Sequence, residues 1–128
     1  LHDRQPFPSW SHGSVTLLGD ACHPMVPFMA QGACQAIEDA AVLSRALTES
    51  SDIGSALALY EAARRPRTSS IQSKSFANAT TFHLADGDEQ KERDLNYSRV
   101  TGLGERALAG FDWLYGHDAM SEPWPQVG

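Results

Sequence analysis

Residues 19–40 read GDACHPMVPFMAQGACQAIEDA, and this stretch decides how the chain is interpreted. It opens with a glycine–aspartate pair. Gly19 has no side chain, so a ligand or another backbone can approach closely there. Asp20 offers two acceptor oxygens to hydroxyl donors. Pro24 and Pro27 exclude a helix interior and would break a sheet ladder, so residues 20–29 form a loop. Proline also restricts that loop, which then holds a shape at little entropic cost. A helix begins near Gly32, and Gly32, Ala33 and Cys34 stand in its first turn. The N–H groups there lack intrahelical partners and lie at the positive end of the helix dipole. An anion or an electron-rich carbonyl is stabilised in such a place. Taken together, the parts suit a polyol joined to a ring that gains negative charge.

Upstream, Val15-Thr16-Leu17-Leu18 lies between Gly13 and Gly19 and reads as a short buried strand. Residues 1–13 read as irregular, with Phe7 and Trp10 as anchors. Downstream, Ala33, Ala36, Ile37, Ala40, Ala41, Val42, Leu43 and Leu47 recur at helical spacing and predict an apolar face. Gln35, Glu38, Asp39, Ser44, Arg45 and Glu49 fall on the other face. Ser50-Ser51-Asp52 reads as a stop followed by an N-cap. A second helix is expected from about 53 to 65, with Leu57, Tyr60 and Ala63 inward. Pro66 would then kink it or start a third helix. From 67 to about 84 the pattern is again helical, with Ile71, Ser75, Asn78, Ala79 and Phe82 on one half-polar face that should pack on something not wholly apolar. Residues 86–94, DGDEQKERD, read as a solvated turn or short exposed helix. A last helical stretch is expected over 105–114, offering Leu108, Phe111, Trp113 and Leu114, before an irregular tail.

The chain has 128 residues, 16 acidic and 10 basic, for a net charge of −6. That balance argues against nucleic-acid or anionic-membrane binding, which need a basic surface. Apolar runs stop at four or five residues, far short of the about 20 a spanning helix needs. Residue 1 is Leu and no leader follows, so the chain is expected to be a fragment or a processed product. Two cysteines in a chain of this size point to a reducing, cytoplasmic setting.

The GD pair, six further residues and Pro27 resemble the second FAD-binding fingerprint of the flavin-dependent aromatic hydroxylases. These are single-component NAD(P)H monooxygenases of the para-hydroxybenzoate hydroxylase type. The continuation to AAVL is most similar to the salicylate hydroxylase and 3-hydroxybenzoate 6-hydroxylase branch. ALYEAARRPRTSSIQ (58–72), FHLADG (82–87) and DWLYGHDA (112–119) extend the resemblance over nearly the whole chain. The resemblance implies roles. Asp20, beside Gly19, would accept hydrogen bonds from the FAD ribityl chain. Pro27 would lend its carbonyl beside the flavin ring. Gly32, Ala33 and Cys34 would aim N–H groups at the flavin N1/C2 carbonyl edge. NAD(P)H would reduce FAD, and one oxygen atom of O2 would pass to a small phenolic substrate.

The family's GxGxxG turn is absent; Gly102-Leu103-Gly104 lacks the third glycine. The chain therefore resembles the C-terminal third of such an enzyme: a mostly α fragment of an α/β FAD-binding fold, with residues 1–68 ending the FAD-binding domain and 69–128 forming a helical C-terminal region. It is expected to need a missing N-terminal FAD-binding segment as partner. In isolation it should be marginal, prone to self-association and unable to hold FAD firmly. Two alternatives remain open: a truncated, non-catalytic helical interaction module, or a flavin epoxidase or quinone-ring hydroxylase on the same scaffold.

Other residues receive plainer readings. His23 reads as a prop for the loop, not a catalytic group. Cys22, Cys34 and His23 fit no zinc spacing. Cys34 at a helix start should have a lowered thiol pKa. Glu38 and Asp39 point about 100° apart on a helix and read as structural. Arg64, Arg65 and Arg67 read as partners for the chain's own acids. Phe111, Trp113, Leu114 and Tyr115 read as core or interface.

Overall fold

The structure, a computed structural model, describes residues 4–103 and 109–126. Strands β1 (Ser11–His12) and β2 (Val15–Thr16) pair antiparallel, Ser11 opposite Thr16 and His12 opposite Val15. Two side-chain hydroxyls, Ser11 Oγ and Thr16 Oγ1, meet across the hairpin at 2.9 Å. The expected strand is thus shorter than its apolar run, and β1 adds order to a segment read as irregular. It is also not buried: Val15 is 67% exposed. A two-pair hairpin has no second layer to cover it, and no further strand exists among the described residues.

The proline loop contains two 3₁₀ turns, Gly19–Ala21 and Pro27–Met29, the second ending on Ala30 in the left-handed region. Helix α1 spans Gly32–Glu49 and α2 spans Ile53–Phe82. Asp52 caps α2 as expected: its carboxylate accepts the Ser55 N–H at 2.9 Å and the Ser55 hydroxyl at 2.7 Å. Pro66 neither stops α2 nor opens a new helix; it lies inside one 30-residue helix. Proline loses one backbone bond there. The neighbouring turns are held from outside, because Arg64 and Arg67 both bind Glu38 of α1 and Thr68 Oγ1 bonds back to the Arg64 carbonyl.

Only part of the apolar face predicted for α1 is buried: Val42 is inside and Leu43 packs on the core, but polar residues share the buried line. Gln35, Asp39, Val42 and Ala46 are buried, a line at steps of four, three and four, while Ile37 is 71% exposed and Leu47, Ala33 and Ala40 are also exposed. The reason lies on α2. Arg64 is buried there, and its guanidinium bonds to Gln35, Glu38 and Asp39 of α1. Beyond that polar patch, Trp10, Cys22, Val42, Ala46, Ala56 and Tyr60 form the apolar core. Trp124 of the tail packs on this core and donates from Nε1 to Glu49.

The chain divides into two compact units. One runs to Ala79 and takes in the tail from Ala119; the other is Thr80–Asp118. Within the second, α3 (Asp88–Thr101) has no buried residue and carries Asp88 and Glu89 in its first turn, where the dipole favours acids. The charged 86–94 stretch is therefore the start of a longer exposed helix. Helix α4 covers Asp112–Tyr115 and buries Leu114, whereas Phe111, Trp113 and Tyr115 are exposed. Residues 105–108 of the expected last helix lie outside the described residues. Among the described residues, no helix is long and apolar enough to cross a membrane.

Candidate functional site

The GD turn is built by backbone conformation and close packing. Gly19 sits at φ +62°, and a Cβ added there would lie 3.2 Å from the Cβ of Ala36 on α1. Both facts favour glycine: the left-handed region penalises a side chain, and one here would press on Ala36. The Gly19 carbonyl accepts the Cys22 and His23 N–H groups at 3.0 Å, and the Cys22 thiol at 3.3 Å. Burial, with the Asp39 charge nearby, pushes the Cys22 thiol up to about 12, so it is an inert donor.

Behind the turn lies a buried polar cluster. The Asp39 carboxylate accepts the Gly19 N–H at 2.9 Å, His23 Nε2 at 2.6 Å and Arg64 Nε at 2.7 Å. Arg64 also donates to Glu38 Oε2 at 2.6 Å and Gln35 Oε1 at 2.7 Å, and Arg67 donates to both Glu38 oxygens. Burial drives both acids upward in pKa. The opposing donors win, Arg67 then Arg64 at Glu38 and His23 then Arg64 at Asp39, and hold both below the usual carboxylate values. The structural readings of His23, Glu38, Asp39 and the arginines are thus realised. Cys22, His23 and Asp39 do approach within 4.8 Å of one another. Asp39 already has three protein donors on its two oxygens, which suits a hydrogen-bonded cluster better than an ion.

The half-polar face of α2 meets the proline loop. Gln72 Nε2 donates to the Pro24 carbonyl at 2.8 Å, Ser75 Oγ to that of Val26, and Asn78 Nδ2 to that of Phe28 at 3.3 Å. Every second carbonyl of this segment is therefore tied to α2, which is the polar surface the face required. The Pro27 carbonyl accepts the Ala30 N–H at 3.1 Å.

On the other side of the turn opens a cleft of about 660 Å³. Gly19, Asp20, Pro27, Gly32 and Ala33 all line it, with Met25 and Ala36. Cys34 does not; it is exposed one position further along α1. No donor among the described residues reaches the exposed Asp20 carboxylate. A Cβ added at Gly32 would lie 3.8 Å from Asp20 Oδ1, so the carboxylate stands beside the start of α1 on the wall of the cleft. That helix has no side-chain N-cap bond. Among the described residues the cleft thus holds a carboxylate with no protein donor beside a helix start with no side-chain cap, an arrangement that can take hydroxyl donors and an electron-rich carbonyl. Sequence reasoning did not find Met25 or Ala36, or the joint burial of Gln35 and Asp39. Their signal was the spacing of Gln35 and Asp39 in line with Val42 and Ala46.

The sequence profile of the FAD binding domain family matches residues 2–75. A 3-amino-4-hydroxybenzoate 2-monooxygenase of Streptomyces platensis is 43% identical over 93% of this chain and 29% of its own length. A 3-hydroxybenzoate 6-hydroxylase of Klebsiella oxytoca is 41% identical over 89% of this chain and 28% of its own. Among solved structures, Klebsiella pneumoniae HpxO complexed with FAD and uric acid superposes with a TM-score of 0.72 at 34% identity, covering 86% of this chain and 28% of that one. A salicylate hydroxylase substrate complex gives 0.65 at 33% identity, over 93% and 28%. The chain spans under a third of the length of these relatives.

Proposed function

This chain belongs to the FAD-binding domain family, and from that premise we propose that its cleft takes the ribityl chain and the flavin ring edge of FAD in an NAD(P)H-dependent monooxygenase acting on a small aromatic, salicylate-like substrate. The observation that carries the reading is the Asp20 carboxylate, without a donor among the described residues, beside the uncapped start of α1 in one cleft. When bound, FAD would supply the redox chemistry and the activation of O2.

The chain's own residues would bind and orient. Asp20 accepts the ribityl hydroxyls. The N–H groups of Gly32, Ala33 and Cys34 face the electron-rich ring edge; Cys34 contributes its backbone there, so its exposed side chain is no obstacle. Pro27 flanks the ring, its carbonyl keeping one lone pair beyond the Ala30 bond. The tethers from Gln72, Ser75 and Asn78 keep that wall rigid. On this reading residues 1–68 complete the FAD-binding part and 69–128 form a helical region, while a GxGxxG-bearing segment outside these residues supplies the pyrophosphate site. The relatives named above, aromatic hydroxylases among them, support the substrate class.

The test is Asp20→Ala in the complete translated product carrying these residues, with flavin content measured after gel filtration. Asp20 is exposed, so stability should change by less than about 0.5 kcal/mol. FAD retention should fall by about tenfold or more, as for loss of a charge-assisted contact. Unchanged flavin content removes the assignment.

A further inference from the structure

Asp39 does not line the cleft and has no part in the binding just proposed, yet it is fully buried and three donors converge on it. A buried carboxylate must be satisfied, and Arg64 with His23 could do that. The third donor is different in kind: it is the backbone N–H of Gly19, 20 residues away in sequence. Gly19 has no side chain with which to anchor itself, and a glycine enters left- and right-handed backbone about equally readily, so contacts to the turn help select its conformation. Its peptide orientation sets the direction in which Asp20 leaves the chain. Ala36, one turn before Asp39 on α1, lies close by: a Cβ added at Gly19 would come within 3.2 Å of the Ala36 Cβ. The turn is therefore held onto α1 by Asp39, at a point where only a residue without a side chain fits comfortably beside Ala36.

We infer that Asp39 is a positioning residue for the flavin: by holding the Gly19 N–H against α1, it fixes the Asp20 carboxylate beside Gly32. This rests on the flavin reading of the cleft. Arg64 and His23 brace Asp39 from α2 and from the loop, so one buried oxygen pair registers three elements around the cleft.

The test compares Asp39→Asn, Asp39→Glu, Asp20→Ala and Val42→Ala with the parent, in the complete translated product. The readouts are FAD dissociation constant by flavin fluorescence, visible circular dichroism of bound flavin, and amide exchange at residues 19 and 20 without FAD. Asp39→Asn should weaken FAD binding by about tenfold or more, change the visible dichroism and speed exchange at 19 and 20. Asp39→Glu keeps the charge and the Arg64 partner but displaces the oxygens by one methylene. It should weaken binding by about threefold or more, and it decides the matter where Asp39→Asn does not fold. Val42→Ala, on the same buried face, should lower the melting temperature while leaving the dissociation constant within about twofold. Binding that stays at the parent's value in both Asp39 variants while Asp20→Ala releases FAD overturns the inference by itself. A parent that holds no FAD, or an Asp20→Ala variant that holds it as tightly, removes the flavin reading and the inference together.

Discussion

Replacing Arg64 by methionine probes the joint between α1 and α2 directly. The guanidinium is 1% exposed and donates to Asp39, Glu38 and Gln35 at 2.6–2.7 Å. Methionine keeps much of the stem's volume and supplies no donor. Glu38 is not stranded, because Arg67 still reaches both its oxygens. Asp39 keeps Gly19 and His23 but loses its guanidinium. Removing one partner of a buried pair costs about 3–5 kcal/mol, and the surviving donors put the expected loss near the lower end, about 3 kcal/mol. With a urea slope of about 2 kcal/mol/M, the midpoint should fall by about 1.5 M when unfolding is followed by far-UV circular dichroism. Adding Asp39→Asn removes the stranded charge, so the double variant should recover about 1–2 kcal/mol relative to additivity. A midpoint shift below about 0.5 M, the size expected of an exposed pair, would refute the reasoning, as would strict additivity.

Three further outcomes follow from the same geometry. Gly19→Ala places a Cβ against Ala36 in a left-handed backbone and should cost about 2–3 kcal/mol; Ala36→Gly in the same chain should recover part of that, and a melt showing no loss contradicts the packing described. Glu38 and Asp39 have folded pKa values below their unfolded ones, so the unfolded chain binds more protons. Their stabilisation is present above the ordinary carboxylate range and lost as pH falls through the depressed values. The melting temperature should therefore hold between about pH 6 and 7 and drop below about pH 4.5, and a rise on acidification would reverse the sign. Ile37→Glu alters an exposed apolar position, so it should leave stability within about 0.5 kcal/mol and reduce self-association in sedimentation velocity; unchanged association points to another surface.

Local chemistry decided much of this protein before any packing. The Pro24 and Pro27 loop, the Asp52 cap, the helical spacing and the GD pair with its downstream helix start were all legible, because each depends on neighbours within a few residues. The burial of α1 was not. Its apolar count favoured the face with Ile37 and Leu47, yet the face with Gln35 and Asp39 is inside, since Arg64, 25 residues beyond Asp39, brings a charge that bonds to those side chains. Pro66 looks like an interruption along the chain for the same reason: the ties from Arg64 and Arg67 to Glu38 that hold the helix on either side are not visible there. Spacing and local chemistry along the chain were enough to place the starts of α1 and α2 and the loop before them. The inward face of α2, with Leu57, Tyr60, Ile71 and Ser75, could be read along the chain, but the burial of Gln35 and Asp39 on α1 could not, because a buried charge meets its partners by distance in space and not by spacing in sequence.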